Sequence, residues 1–184
     1  MDNGASSYRR YLDGDEDAFG EIVKEYFDKL VFFVNRYVRN FAAAEDIAVD
    51  VFALLLIDKK KYNFRVSMKT YLFMLGRSRA LDYLKHQSKL QIVELSEVAS
   101  IPSDDPHPEE RLLADERRRR INEAISSLNR DMQLVIHLVY FEGLSCEDAA
   151  RVLKKNKKQV YNLLYRAKQE LRKFLEEEGE CLSE

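Results

Sequence analysis

The side chains with the most to offer chemically lie along one short stretch of the chain: Lys157, Lys158, Gln159, Tyr161, Asn162, Tyr165, Arg166 and Lys168. These types neutralise phosphates and hydrogen-bond base edges in a major groove. Their spacing makes them one surface. Val160, Leu163, Leu164, Ala167 and Leu171 recur at the three-to-four-residue period of a helix, so the polar set falls on the other face. Two pairs mark helix starts, Ser145 with Asp148 and Asn156 with Gln159, each partner placed to satisfy an orphan backbone donor of the other. Between them Ala149, Ala150, Val152 and Leu153 give a short helix its apolar face. The pattern is a helix-turn-helix whose second helix can read DNA, with Tyr161, Asn162, Tyr165 and Arg166 toward bases and Lys157, Lys158 and Gln159 toward phosphates. A basic helix solvated on the outside of a bundle would carry the same charges, so the rest of the chain has to decide.

The charge distribution favours a nucleic acid. Over 184 residues the net charge is only −2, yet the cations are gathered in two places. Nine of them, from Lys59 to Lys89, face Asp82 alone, and nine more, from Arg151 to Lys173, face Glu170 alone. Two basic segments in an otherwise acidic chain are what a duplex gripped at two points requires, because each neutralised phosphate releases counterions. The first segment also interleaves aromatics with cations. Tyr62, Asn63, Phe64 and Arg65 form a loop able to stack on and hydrogen-bond a displaced base, while Lys60, Lys61 and Lys69 hold the strand; packing of Tyr62 or Phe64 into a core is the competing expectation.

The elements that must position these groups are helices. Ala18, Phe19, Ile22, Val23, Tyr26, Phe27, Leu30, Val31, Val34 and Tyr37 trace one long amphipathic helix after a polar start. A second runs from about Ala44 to Leu56, and Ser67 caps a third carrying Tyr71, Leu72, Met74, Leu75, Leu81 and Leu84. Pro102, Pro106 and Pro108 then punctuate an acidic stretch that reads as an extended linker. Helical periodicity resumes from about Glu109 through Leu112, Leu113, Ile121, Ile125 and Leu128, then Leu134, Val135 and Leu138. The expectation is an all-α protein of two small helical domains, 1–90 and 116–176, joined by an acidic flexible linker at 91–115 and ending in an acidic tail at 177–184. No stretch reads as a strand.

Other classes of function find little support. His86, His107 and His137 are scattered, no glycine loop could cradle a phosphate, and Cys146 with Cys181 make neither a disulfide framework nor a zinc site. No enzyme, cofactor or metal is expected. The opening Met1-Asp2-Asn3-Gly4 has no cationic-then-apolar leader and no apolar run approaches membrane-spanning length, so a cytoplasmic protein without membrane insertion is expected.

Specific residues carry a resemblance to the extracytoplasmic-function class of bacterial RNA polymerase sigma factors. Asp17-Ala18-Phe19 begins the first helix as in that class, Ala44 to Phe52 resembles its polymerase-clamp-binding helix, and Tyr71-Leu72 with Ala80 to Lys85 resembles the segment engaging the melted downstream promoter element. Leu128, Glu142-Gly143-Leu144-Ser145 and Arg166-Ala167 resemble the upstream-element module, and both modules stand in the expected order between Asp17 and Phe174. The resemblance implies binding to bacterial core RNA polymerase through Glu45, Asp46, Val49 and Asp50, recognition and opening of promoter DNA, and control by an anti-sigma factor. Tyr71 stands where the family usually has Trp, Val49 where it has Gln, Ser78 where it has Asn, Lys158-Gln159-Val160 where it has Gly-Thr-Val, and Lys154 where a glycine ends the helix. A regulator binding DNA without polymerase, and a sigma-like decoy binding polymerase without initiating, are the alternatives.

Overall fold

Residues 3–91 and 112–177 are described by the computed structural model. They form helices α1 (Asn3–Leu12), α2 (Asp17–Val38), α3 (Phe41–Ile57), α4 (Met68–Gln91), α5 (Leu112–Ser127), α6 (Arg130–Ile136), α7 (Cys146–Leu153) and α8 (Lys157–Glu177), with a π-turn at His137–Phe141. No strand occurs among the described residues. Most of the stretch read as a linker, and all of the tail beyond Glu177, lie outside them; α4 runs to Gln91 and α5 begins at Leu112, each just inside the bounds 91–115.

The first four helices close one core. Ile22, Leu30, Val34, Leu55, Met68, Leu72 and Phe73 are fully buried there, each removal of such a side chain from water being worth about 1.5–3 kcal/mol. Helix starts are fixed by side chains that can accept from free amides, Ser67 as expected and Asn40 besides. The Asn40 side chain accepts from the Ala43 N–H, and Ser67 Oγ accepts from the Thr70 N–H at 3.1 Å. Gly76 lets α4 cross α2 closely, since a Cβ there would stand 2.7 Å from Leu30 Cδ1.

Helix α1 falls where the sequence reads as a polar start. It is amphipathic: Tyr8 and Tyr11 are buried, whereas Arg9 and Arg10 are exposed. Its approach to α2 and α4 depends on Gly4, where a Cβ would lie 2.7 Å from Tyr26 Cε2 and 2.9 Å from Met68 Cβ. Arg10 then ties α1 to the start of α2 through Asp15 and Glu21, both exposed pairs of small worth.

In the second unit Ile125, Leu128, Met132, Val135, Leu138, Val152, Leu153, Val160, Leu164 and Ala167 share a core. Ile121, expected on the buried face, is 41% exposed, on a helix whose main neighbour is α8. The two units are docked. The Arg130 guanidinium donates to the Tyr37 carbonyl at 3.0 Å and stands 4.8 Å from the Tyr37 ring centre; Lys69 of α4 reaches Glu142.

Gly4→Ala is expected to push α1 off its seat, lowering stability by about 1–3 kcal/mol as overpacked sites do. A urea unfolding midpoint equal to that of the unsubstituted protein would show that α1 does not need this contact.

Candidate nucleic-acid interface

The helix-turn-helix is built by its caps. Asn156 and Gln159 form the full reciprocal pair, each backbone N–H donating to the other's side-chain oxygen at 2.8 Å. At the earlier start the pair is only half realised. Ser145 Oγ accepts from the Asp148 N–H at 3.0 Å but spends its own proton on Asp148 Oδ2, so that carboxylate does not return to the Ser145 backbone. Asp148 is further drawn to Arg151. Between the two helices Lys154 adopts the left-handed conformation, φ 53°, that glycine takes without cost; a side chain there costs roughly 1–2 kcal/mol.

Helix α8 buries Val160, Leu164 and Ala167 and leaves Lys157, Lys158, Gln159, Tyr161, Asn162, Tyr165 and Arg166 exposed, as its periodicity requires. Tyr161 is 52% and Tyr165 67% exposed, a large uncovered aromatic area for a helix that is otherwise polar. The exposed residues divide into two stripes. Gln159, Asn162 and Arg166 border a shallow cleft of about 230 Å³ beside Asp131 and Lys155, which pair at 2.8 Å. Lys158, Tyr161 and Tyr165 follow at the neighbouring three- and four-residue offsets. Lys168 lies 5.5 Å from the Tyr140 ring centre. The helix N-terminus, with its unpaired amides and positive dipole end, adds to the attraction for a phosphate near Lys157 and Lys158.

The loop between α3 and α4 differs from its sequence reading. Lys60, Lys61, Asn63 and Arg65 are exposed as expected, but Tyr62 is 2% exposed and donates through its hydroxyl to the Val66 carbonyl at 2.7 Å. Its ring is held among Tyr8, Phe64 and Tyr71, so in this arrangement it is core and offers no face to a base. Phe64 is half-buried, has φ 59°, and carries the Arg9 guanidinium over its ring at 4.8 Å. The Asn63 side chain accepts from the Arg65 N–H and tightens the turn. The part of this site that sequence reasoning missed is α1, which supplies Tyr8 and Arg9. The spacing of Ala5, Tyr8, Tyr11 and Leu12 is a helical signal that could have found it.

Lys69 also departs from expectation. Its ammonium donates to the Glu142 carbonyl at 2.7 Å and lies 3.2 Å from the Glu142 carboxylate, itself only 8% exposed. It is thus engaged across the docked units and not free to hold a strand. On α3, by contrast, Glu45, Asp46, Val49 and Asp50 are all exposed, Val49 to 55%, and the apolar strip continues at Leu56 and Ile57. An exposed valine between two aspartates suits a protein partner with both apolar and cationic groups better than it suits water.

His137 is packed at the junction of the two units, its ring stacked near Phe33 of α2 and Phe141, with neither ring nitrogen hydrogen-bonded. Burial first, then Arg36 and Lys69, pushes its pKa down from 6.5 to about 3. Glu142 lies 3.5 Å away, but its charge is already answered by Lys69 at 3.2 Å, so it does little to hold a proton on the ring.

Two parts of the chain match family models: residues 22–90 match Sigma-70 region 2 and residues 118–171 match Sigma-70, region 4. Among curated relatives, the ECF RNA polymerase sigma factor BldN of Streptomyces coelicolor is 28% identical over 168 residues, covering 90% of this chain and 63% of BldN. The ECF RNA polymerase sigma factor SigW of Bacillus subtilis is 25% identical over 170 residues, covering 88% of this chain and 91% of SigW. The fold is also that of the sigma factor RpoE of Bartonella quintana, solved with the anti-sigma factor NepR, at a TM-score of 0.69 and 18% identity over 86% of this chain and 96% of that one. CnrH, solved with the cytosolic domain of CnrY, gives 0.60 and 18% over 95% and 96%.

The buried imidazole makes the packed state acid-sensitive. Once exposed to water His137 returns to its ordinary pKa near 6.5, so above that value its neutral form costs nothing and the packed state keeps its full stability. As pH falls from about 6.5 toward 3, the exposed state takes up a proton that the packed state refuses, a loss of about tenfold, or ~1.4 kcal/mol, per unit. The urea midpoint is expected to fall accordingly below pH 6.5 and His137→Phe to flatten that fall; equal pH profiles for the two proteins would count against it.

Proposed function

The chain belongs to the extracytoplasmic-function class of bacterial RNA polymerase sigma factors, and from that premise we propose how its surfaces divide the work of initiation. Sigma factors are not catalysts; the chemistry of RNA synthesis stays with the polymerase. Helix α3 is the polymerase-binding element, with Asp46 and Asp50 pairing with cationic groups and Val49 filling the apolar space between them. The observation that carries this assignment is an exposed valine flanked by acids on a helix whose opposite face is wholly buried.

Helix α8 enters the major groove of the upstream element. Arg166, Asn162 and Tyr161 with Tyr165 read base edges, and Lys157, Lys158 and Gln159 bind phosphates. The loop 60–65 engages the displaced downstream strand through Lys60, Lys61, Asn63 and Arg65, with Tyr62 behind it as a support. Lys69 joins this set when it leaves Glu142, so separation of the two units accompanies strand capture. An anti-sigma factor is proposed as a further partner, as NepR is in the RpoE structure. We place this work in the cytoplasm, where polymerase and promoters are; among the described residues no helix is long and apolar enough to cross a membrane.

Run-off transcription with bacterial core polymerase and a pool of randomised promoters tests the whole reading. Templates enriched only when both proteins are present are expected. Binding to DNA without polymerase and no initiation would favour a conventional regulator, and polymerase binding without transcription would favour a decoy.

Asp46→Arg and Asp50→Arg should each weaken co-migration with core polymerase at physiological salt; unchanged affinity for both would remove α3 from the interface. On α8 two residues should behave differently. Arg166→Ala is expected to cost about 1–3 kcal/mol and to relax preference at one upstream base pair. Lys158→Ala is expected to weaken all upstream sequences alike and to reduce the salt slope by about one unit. If Arg166→Ala gives the second pattern, Arg166 is a phosphate anchor and the tyrosines with Asn162 do the reading.

A further inference from the structure

The strand-engaging loop does not stand alone. On its outer side lies a cleft of about 650 Å³ whose walls include Ser6 and Arg9 of α1, Phe64, Arg65 and Ser67 of the loop, and Arg151 of α7. Arg9 and Arg65 line it from the first unit and Arg151 from the second, Arg151 being already paired with Glu147 and Asp148. The acid beside them, Asp148, is already bound by Arg151 at 3.0 Å and by Ser145 at 2.6 Å. Arg9 and its neighbour in sequence have different employments. Arg10 is committed to Asp15 and Glu21, whereas Arg9 has no ion pair among the described residues and instead stands over Phe64. A molecule approaching that face of Phe64 meets the guanidinium first.

We propose that Arg9 of α1 is a strand-binding residue, its guanidinium taking a backbone phosphate of the displaced DNA strand while its stacking on Phe64 fixes it at the rim of the loop. The assignment rests on the reading of loop 60–65 as the strand-engaging segment. An arginine held by a ring keeps its N–H donors free for a phosphate and has already surrendered much of its rotamer freedom, so less is lost when the contact forms. The platform is itself immobilised. Phe64 is in the left-handed conformation, packed against Tyr62 at 4.6 Å and Tyr8 at 6.2 Å between ring centres, and the Tyr8 hydroxyl is bonded into the end of α3. Helix α1 precedes the region 2 match, which begins at residue 22, so this contact lies outside the matched segment.

The test uses the full chain bound to bacterial core polymerase and a fluorescein-labelled single-stranded 12-mer pool of mixed sequence, read by anisotropy over a range of salt, with core alone as background. Arg9→Ala is expected to weaken binding about fivefold at 0.1 M salt and to lower the salt slope by about 0.7, the contribution of one phosphate contact on a single strand. Arg9→Lys is expected to keep the slope, and the urea midpoint of Arg9→Ala to stay near that of the unsubstituted protein. If Arg9→Ala binds normally while Arg65→Ala and Lys60→Ala bind weakly, the inference is wrong and the loop assignment survives. If none of the three loses affinity, the loop assignment fails and takes the inference with it. A weakened Arg9→Ala with an unchanged salt slope and a lowered urea midpoint would make Arg9 a clamp on Phe64 and overturn its phosphate role.

Discussion

Tyr8 is the residue on which the first unit and its loop depend. Its ring is wholly buried, in contact with Tyr11, Tyr62 and Phe64, and its hydroxyl lies 3.1 Å from the carbonyls of both Leu55 and Lys59, where the end of α3 passes into the loop. One proton shared between a carbonyl in the last turn of α3 and one just beyond its end meets part of the need that every helix C-terminus has, and does so from a different element. Burial holds the phenol pKa up at about 12, so the donor is present at any physiological pH. The aromatic stack above it turns a loop of cations into a surface of fixed shape. A loop with the same lysines and arginines on a free backbone would pay the ordering entropy each time it met a strand.

The second dependence is between units. Lys69–Glu142, Arg130 with Tyr37, and the Phe33–His137 stack are three contacts of different chemistry spread over one junction. Together they enclose polar groups that would be costly to leave unmatched. Glu142 is paired with Lys69, whereas burial, with Arg36 and Lys69 nearby, keeps His137 neutral. The junction leaves α3 and the reading face of α8 uncovered while occupying part of α4 and the loop's surroundings. The polymerase and upstream-element contacts proposed for α3 and α8 are thus compatible with the docked arrangement, and the strand contact proposed for Lys69 is not.

Much of this was legible in the sequence, for reasons that can be named. Helices α2, α7 and α8 are amphipathic, α3 is apolar at regular offsets, and Ser67, Ser145 and Asn156 sit at helix starts because their oxygens can accept from orphan amides. Helix α1 escaped notice because Asn3, Gly4, Ser6 and Ser7 are weak helix formers; its stability comes from what it packs against, and Gly4 matters by what it lacks. The burial of Tyr62 follows from α1 and could not be read without it. The engagement of Lys69 is a contact across 73 residues of chain, which local pattern does not encode. Lys154 was readable as an exception to the glycine that normally occupies a left-handed helix end, and it does adopt that conformation.

The π-turn at His137–Phe141 closes with the Glu142 N–H donating five residues back to His137, one residue more than an α-helix uses. A single residue in a helix corresponds to about 100° of rotation and 1.5 Å of advance. That one extra position therefore sets the phase between two parts of the second unit, α6 with His137 and the stretch from Gly143 onward that carries α7, packed on α4, and α8. The angle at which the proposed reading helix would be offered to a duplex, relative to the unit proposed to engage the melted strand, is in this sense counted out in residues. An insertion or deletion here would act like a gear slipping by one tooth, leaving each helix sound and the two gripping surfaces out of step.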